Sequence, residues 1–156
     1  TKSTYLYLAQ GFMQKMRTIG KQVNIANING DALMLAAMGN PSHVAIVVSY
    51  SGETPLVLNA AYMAQSQQTP IIAITSISQS TLSKMADVSL RMSSREMLNT
   101  PIGEFATGES VACLYDILYA VIFSFDYDHN LEYKLAIAKV IDDNYSEYEP
   151  INNEGE

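Results

Sequence analysis

Residues 44–59 read VAIVVSYSGETPLVLN, and the rest of the chain is organised around them. The five apolar residues from Val44 to Val48 predict a strand buried on both faces. Ser49-Tyr50-Ser51-Gly52-Glu53-Thr54 then makes a hydroxyl-rich turn, and Pro55 opens an apolar periodicity of helical type. Threonine ahead of proline is a helix-start signal. The hydroxyl can cap free N–H groups, and proline at the first helical position loses nothing by lacking its own. Strand, tight turn and helix N-terminus gather hydroxyls and backbone donors around one point, with the positive end of the helix dipole aimed at it. An anion, above all a phosphate, is the expected occupant. Gly52 lets the backbone come close to it.

Working outward, the pattern alternates strands and helices. Toward the N-terminus, residues 4–19 space Leu6, Ala9, Phe12, Met13, Met16 and Ile19 three and four apart, which predicts a helix stopped by Gly20. Residues 22–28 alternate Val23, Ile25 and Ala26 with polar residues and predict a short strand near a sheet edge. Asn29-Gly30-Asp31 turns into a helix over Ala32 to Met38, closed by Gly39-Asn40-Pro41. Beyond the central helix, which runs to about Gln67, Ile71 to Ile74 predicts a second buried strand. It too ends in hydroxyls, Thr75 and Ser76, with Ser78 and Ser80 ahead of a short helix at Thr81 to Met85. Asp87 to Met92 predicts a further strand, residues 93–103 a loop, and Glu104 to Phe125 a long helix. Asp126 to Asn130 breaks it before a last helix from Leu131 to Ile141. This alternation means an α/β fold: a three-layer sandwich of the flavodoxin-like kind, with a mostly parallel sheet flanked by helices. Ligands of such folds sit at the carboxyl ends of the strands. Both hydroxyl turns, 49–54 and 75–80, follow strand ends and are expected to face one crevice.

Composition narrows the function. The chain has 156 residues, 48% of them hydrophobic, enough for one domain with a sizeable core. The net charge of −7 is concentrated in the tail. Residues 142–156 carry six acids and no Lys or Arg, which leaves nine basic against ten acidic residues in the body. The domain is therefore set at residues 1–142 and an acidic, solvated tail at 143–156. The basic residues are dispersed, and no basic run is interleaved with aromatics, so these residues form no nucleic-acid surface. Cys113 is the single cysteine, and His43 and His129 lie far apart, so no metal-ligand set is expected. A buried free thiol at Cys113 fits a reducing cytoplasm. No run of about 18 apolar residues is visible, so no membrane span is expected. Thr1 stands just ahead of a helical pattern with no signal-peptide features, and the chain is expected to be a fragment of a longer protein.

The turn at 49–54, followed by its helix and by Pro70-Ile71-Ile72-Ala73-Ile74-Thr75, resembles the sugar isomerase (SIS) domain. Three further segments are similar to one branch, the effector domain of RpiR-type bacterial transcription regulators. They are Met16-Arg17-Thr18-Ile19-Gly20-Lys21-Gln22-Val23, Lys84-Met85-Ala86-Asp87-Val88 and Asp116-Ile117-Leu118-Tyr119. The resemblance covers roughly residues 4–142. It implies a homodimer that binds a sugar or amino-sugar phosphate, with DNA met only through an N-terminal helix-turn-helix domain absent from this chain. It also implies a first strand and a glycine-rich turn ahead of the first helix, and the chain begins at or just inside that turn. The family's serine there falls on Tyr5, with Ser3 and Thr4 as the nearby hydroxyls that could substitute.

The candidate phosphosugar-binding set is therefore Ser49, Ser51, Gly52, Glu53, Thr54, Ser3, Thr4, Thr75 and Ser76. Thr75, Ser76 and Ser78 either contact the ligand or do ordinary turn work. Glu53 is a general base, a sugar contact, or a carboxylate at a favourable helix start. Glu104 and Glu109 either reach a neighbouring subunit's pocket or complement the dipole of the long helix. Two functions follow. One is a non-catalytic sensor, in which a phosphosugar shifts the arrangement of a dimer. The other is an aldose–ketose phosphosugar isomerase, which needs a placed acid and base. The sequence offers a phosphate cradle but no convincing Glu/His pair. The expected function is the sensor, with no catalytic residue, no cofactor and no metal.

Overall fold

A computed structural model describes residues 2–26, 30–93 and 105–145. The order is α1 (Lys2–Arg17), α2 (Asp31–Ala37), β1 (Ala45–Val48), α3 (Pro55–Ser66), β2 (Ile71–Thr75), α4 (Thr81–Met85), β3 (Val88–Arg91), α5 (Phe105–Phe125) and α6 (Tyr127–Tyr145). The three strands form a parallel sheet in the order β1-β2-β3. Ala45 pairs with Ile71 at the start of the β1–β2 ladder and Val48 with Ile74 at its end. On the β3 side Ile72 pairs with Val88 and Thr75 with Arg91. Each crossover, α3 and then α4, returns the chain to the same end of the sheet, so the turns after β1 and β2 leave side by side.

Side-chain alternation builds the layers. Ile46, Val48, Ile74 and Leu90 face α1 and α5, where they meet Phe12, Met16, Ile19, Val111 and Tyr115. Phe12 and Tyr115 stack there with ring centroids 5.0 Å apart, and burial pushes the Tyr115 phenol up to about 12. Ala45, Val47, Ile71 and Ala73 point the other way, toward Ala61 and Ala64 of α3 and Leu82 of α4. The small residues on this side let α3 lie close to the sheet. The three-layer α/β architecture is the expected one.

Several local expectations need correction. Val44 stays outside β1 and is 57% exposed, and Ala45 to Val48 are only half-buried. Within the described sheet β1 is an edge strand; the strand buried on both faces is β2. Residues 21–26 form no strand. Val23 and Ile25 alternate inward as a strand would and Val23 packs on the α1 core, but no ladder joins them to the sheet. Burial period alone produced that signal. Residues 27–29, residues 94–104 (which take in most of the expected 93–103 loop and Glu104, expected to open the long helix) and the tail from 146 onward lie outside the described residues.

The break between the last helices is also shorter than expected. Asp126 alone separates α5 from α6, and His129 is an exposed helical residue. Asn130, which reads as a breaker, is 1% exposed, and its Nδ2 donates to the Phe123 carbonyl at 3.0 Å. It satisfies an α5 carbonyl from within α6. Cys113 is exposed rather than buried. Finally, 20 residues of α5, Ala106–Phe125, have a mean hydropathy of 1.4 and are long and apolar enough to cross a membrane. Glu109, Asp116 and several small polar residues hide that from a search for an unbroken apolar run. Here α5 packs on α1 and lends Val111 and Tyr115 to the core.

Candidate functional site

The turn after β1 is tied to the turn after β2 by one atom. The Tyr50 carbonyl oxygen accepts the Ser76 N–H at 3.0 Å, the Thr75 hydroxyl at 3.0 Å and the Ser76 hydroxyl at 2.7 Å. The first of these continues the β1–β2 ladder past the strand ends. The other two spend the only donors that the Thr75 and Ser76 side chains possess. Both side chains are buried, at 0% and 3% exposure. On the far side of Ser76, Arg91 Nη2 donates to its carbonyl at 3.0 Å. Thr75 and Ser76 thus sit beside the first turn as expected, but as its frame.

Within the first turn, Ser49 is buried and its Oγ accepts the Gly52 N–H at 3.2 Å. The Ser49 and Thr54 hydroxyls are 3.2 Å apart. Ser51 Oγ accepts the Glu53 N–H at 3.2 Å. Ser51 and Thr54 are half-buried and so keep an outward side. Thr54 stands at the N-cap of α3 with Pro55 next, yet its side chain makes no cap bond, a correction to the expected role. The first N–H to join the helix ladder is that of Leu58, to Thr54 O at 3.0 Å. The Leu56 and Val57 N–H groups lie ahead of that ladder, at the positive end of the helix. Ser49, Ser51 and Thr54 therefore gather at one helix N-terminus. The arrangement suits an anion held by hydroxyl and backbone donors.

Gly52 is the pivot. It has φ +68°, the left-handed region, and is buried. A Cβ added there would lie 2.3 Å from Ser80 Oγ, 2.6 Å from Ser80 Cβ and 3.0 Å from Thr75 Oγ1. The Gly52 carbonyl accepts the Leu82 N–H at 3.1 Å. Glu53 points away from α3. Its Oε1 accepts the Thr81 N–H, at the start of α4, at 2.7 Å, while Ser80 caps the same helix through Ser83 N–H at 3.2 Å. The bonds from Thr81, with Lys84 assisting, hold the Glu53 carboxyl below its ordinary pKa, so it stays ionised.

The remaining candidates fall elsewhere. Ser3 and Thr4 lie in the first turn of α1; the Thr4 methyl is 3.8 Å from where a Cβ on Gly108 of α5 would be, and the Ser3 side chain is outside the description. His43 is exposed ahead of β1, at the opposite end of the strand from the turn. Glu109 is exposed on α5. Among the described residues no three His, Cys, Asp or Glu side chains come together as a metal would require. Sequence reasoning missed Tyr50 O, Ser80 and Arg91 as parts of the frame. A serine ahead of a short helix was the available signal for Ser80; a backbone carbonyl leaves none. A separate groove of about 450 Å³ lies between Gln14, Lys15, Thr18, Asp116, Tyr119 and Lys134. It sits toward the end of α1 remote from Tyr5, whose hydroxyl meets Met92 just past β3, and it opens between an exposed Lys15–Asp116 ion pair and Lys134.

Three comparisons bear on this geometry. The SIS domain pattern matches residues 2–103. A Thermotoga maritima protein described as an uncharacterized HTH-type transcriptional regulator is 33% identical over 82 residues, 53% of this chain and 29% of the relative. The Vibrio vulnificus NanR protein complexed with ManNAc-6P superposes with a TM-score of 0.74 at 23% identity, over 86% of this chain and 50% of that one. The sugar isomerase domain of the RpiR transcription factor from Sphaerobacter thermophilus gives a TM-score of 0.69 at 18% identity, over 85% and 72%. At those identities the structural likeness is one of fold. The chain spans half of the NanR chain and less than a third of the Thermotoga protein.

Gly52→Ala is expected to destabilise the domain by at least about 2 kcal/mol, since it adds positive-φ strain to a clash with buried Ser80. Gly11→Ala is the control. It lies inside α1 with nothing within 4 Å of its added Cβ, so the substitution is expected to stabilise by about 0.5–1 kcal/mol. Urea unfolding of the two variants reads both signs.

Proposed function

This chain belongs to the SIS domain family, and from that premise we propose that it is the phosphosugar-sensing domain of a DNA-binding transcription regulator. The observation that carries the reading is the cradle itself. Ser51 and Thr54 keep an outward side at the uncapped N-terminus of α3, while Ser49, Gly52, Thr75 and Ser76 are buried beneath them as its frame. The ligand is a sugar or amino-sugar phosphate, its phosphate on Ser51, Thr54 and the first N–H groups of α3. Ser49 takes part through Thr54, and Thr75 and Ser76 through Tyr50. Ser3 and Thr4, at the start of α1, are the hydroxyls assigned to the remaining wall.

Binding proceeds without turnover. An isomerase needs a free base next to the sugar carbons. The Glu53 carboxylate is instead committed to Thr81, and neither histidine follows a strand end. The likeness to the Thermotoga, NanR and RpiR regulators supports placing DNA contact in a separate helix-turn-helix domain, with residues 1–142 as the sensor and 143–156 as a solvated acidic tail. Its place of work is the cytoplasm.

The unit is a homodimer. Ile117, Val121 and Phe125 of α5 and Leu135, Val140 and Ile141 of α6 are between 44% and 82% exposed, and these apolar side chains on the last two helices are the surface assigned to the partner. A ligand that binds the two dimer arrangements unequally shifts the balance between them.

A thermal-shift panel tests the reading. At about 100 times Kd, one sugar phosphate from a set including ManNAc-6P is expected to raise Tm by about 5–10 °C, while its unphosphorylated sugar does not. Ser51→Ala and Thr54→Ala should each weaken that ligand about tenfold, and the ligand should be recovered chemically unchanged. A shift by unphosphorylated sugars alone would overturn the cradle, and a converted sugar phosphate would establish the isomerase. In sedimentation the chain should run as a dimer and Val121→Glu as a monomer; a monomeric parent chain would refute the assembly.

A further inference from the structure

We infer that Glu53 is a positioning residue: it keeps the anion-binding turn in shape by gripping the start of α4, and does not itself touch the ligand. The inference rests on the cradle reading above and assigns the one ionised side chain within that turn. Residues 52 and 53 join the turn to α4 by two hydrogen bonds and by close packing on Ser80, the residue just ahead of that helix. Glu53 Oε1 accepts the Thr81 N–H at 2.7 Å. The Gly52 carbonyl accepts the Leu82 N–H at 3.1 Å. The Gly52 Cα lies so close to Ser80 that no side chain fits between them.

The two hydrogen bonds take up the first N–H groups of a five-residue helix, Thr81–Met85, too short to hold itself together. Turn and helix therefore order each other. Leu82 is fully buried against Ile71 and Ala73 of β2, so α4 in turn is anchored to the sheet. Through Glu53 that anchor reaches the backbone between Ser51 and Thr54. The Glu53 N–H, on the opposite side of the same residue, is held by Ser51 Oγ at 3.2 Å. One residue thus fixes the Ser51 hydroxyl from behind and ties the loop down in front.

A carboxylate beside a dianionic phosphate would repel it if it faced the same way. Turned onto Thr81, its charge is spent on a helix N-terminus, where a carboxylate is favourable. This geometry explains how an acidic residue can stand inside an anion cradle. It also removes Glu53 from the general-base and sugar-contact roles that its position in the sequence leaves open.

Glu53→Ala and Glu53→Gln separate the alternatives, because glutamine keeps an acceptor for Thr81 without the charge. NMR titration with inorganic phosphate is expected to give about tenfold weaker binding for Glu53→Ala and binding within about threefold of wild type for Glu53→Gln. Amide exchange at Gly52, Glu53 and Leu82 should be faster in Glu53→Ala and close to wild type in Glu53→Gln. A direct sugar contact would leave phosphate affinity untouched in both variants and overturn the inference. Tighter phosphate binding in Glu53→Ala would do the same, because it would mean that the carboxylate faces the anion. If the wild-type chain bound no phosphate, the cradle reading would fall, and the exchange rates would still decide whether Glu53 holds the turn: unchanged exchange in Glu53→Ala refutes the inference.

Discussion

The site depends on the Tyr50 carbonyl. Two parallel strands end side by side, and the chain leaves each of them through a turn with no regular partner. Tyr50 O collects the Ser76 N–H and the hydroxyls of Thr75 and Ser76, so the two turns form one piece. A carbonyl has two lone pairs, so three donors saturate it. Two of those donors are buried side chains that would otherwise lack an acceptor, at a cost of about 1–3 kcal/mol each. Arg91 holds Ser76 from the β3 side and Glu53 holds the first turn from the α4 side. What remains free at the centre is the edge that carries Ser51, Thr54 and the start of α3.

Much of this was legible in the sequence because strong local signals agreed. Strand-turn-helix over 44–59 follows from a run of apolar residues, a hydroxyl-rich turn with a glycine, and Thr-Pro. The second strand and its hydroxyls follow by the same logic, while the division of the strand residues between the two faces of the sheet came only with the structure. Roles within the turn were not legible. Ser49, Ser51, Thr75 and Ser76 look alike as letters, but two of them are spent on a carbonyl that leaves no mark in a sequence. Thr54 carries the residue type of a cap and pairs with Ser49 instead. Glu53 sits next to α3 in sequence and caps α4 in space, because the chain returns to the same place 28 residues later.

The misread elements have physical causes of their own. Residues 21–26 have the alternation of a strand, which reports that one side faces a core and says nothing about a hydrogen-bonded neighbour. Val44 is apolar but precedes the ladder, so it stays in water. Asn130 carries a breaker's composition, yet its amide closes the end of α5 and lets α6 begin after a single residue. The apolar character of α5 is spread around acids and small residues, and only the assembled helix displays it.

Sensing and catalysis place different demands on the same crevice. A catalyst needs a proton-transfer group free to move; a sensor needs a rigid grip and two arrangements to choose between. Here the acidic group is tied down and the grip is framed on both sides. A crystal structure of the chain grown with the sugar phosphate proposed as its ligand tests this most directly. The account predicts phosphate oxygens about 2.5–3.0 Å from Ser51 Oγ and Thr54 Oγ1, at the start of α3, with Glu53 still on Thr81. A phosphate seated instead in the groove between Lys15 and Lys134, or a Glu53 carboxylate swung onto the sugar, would contradict it.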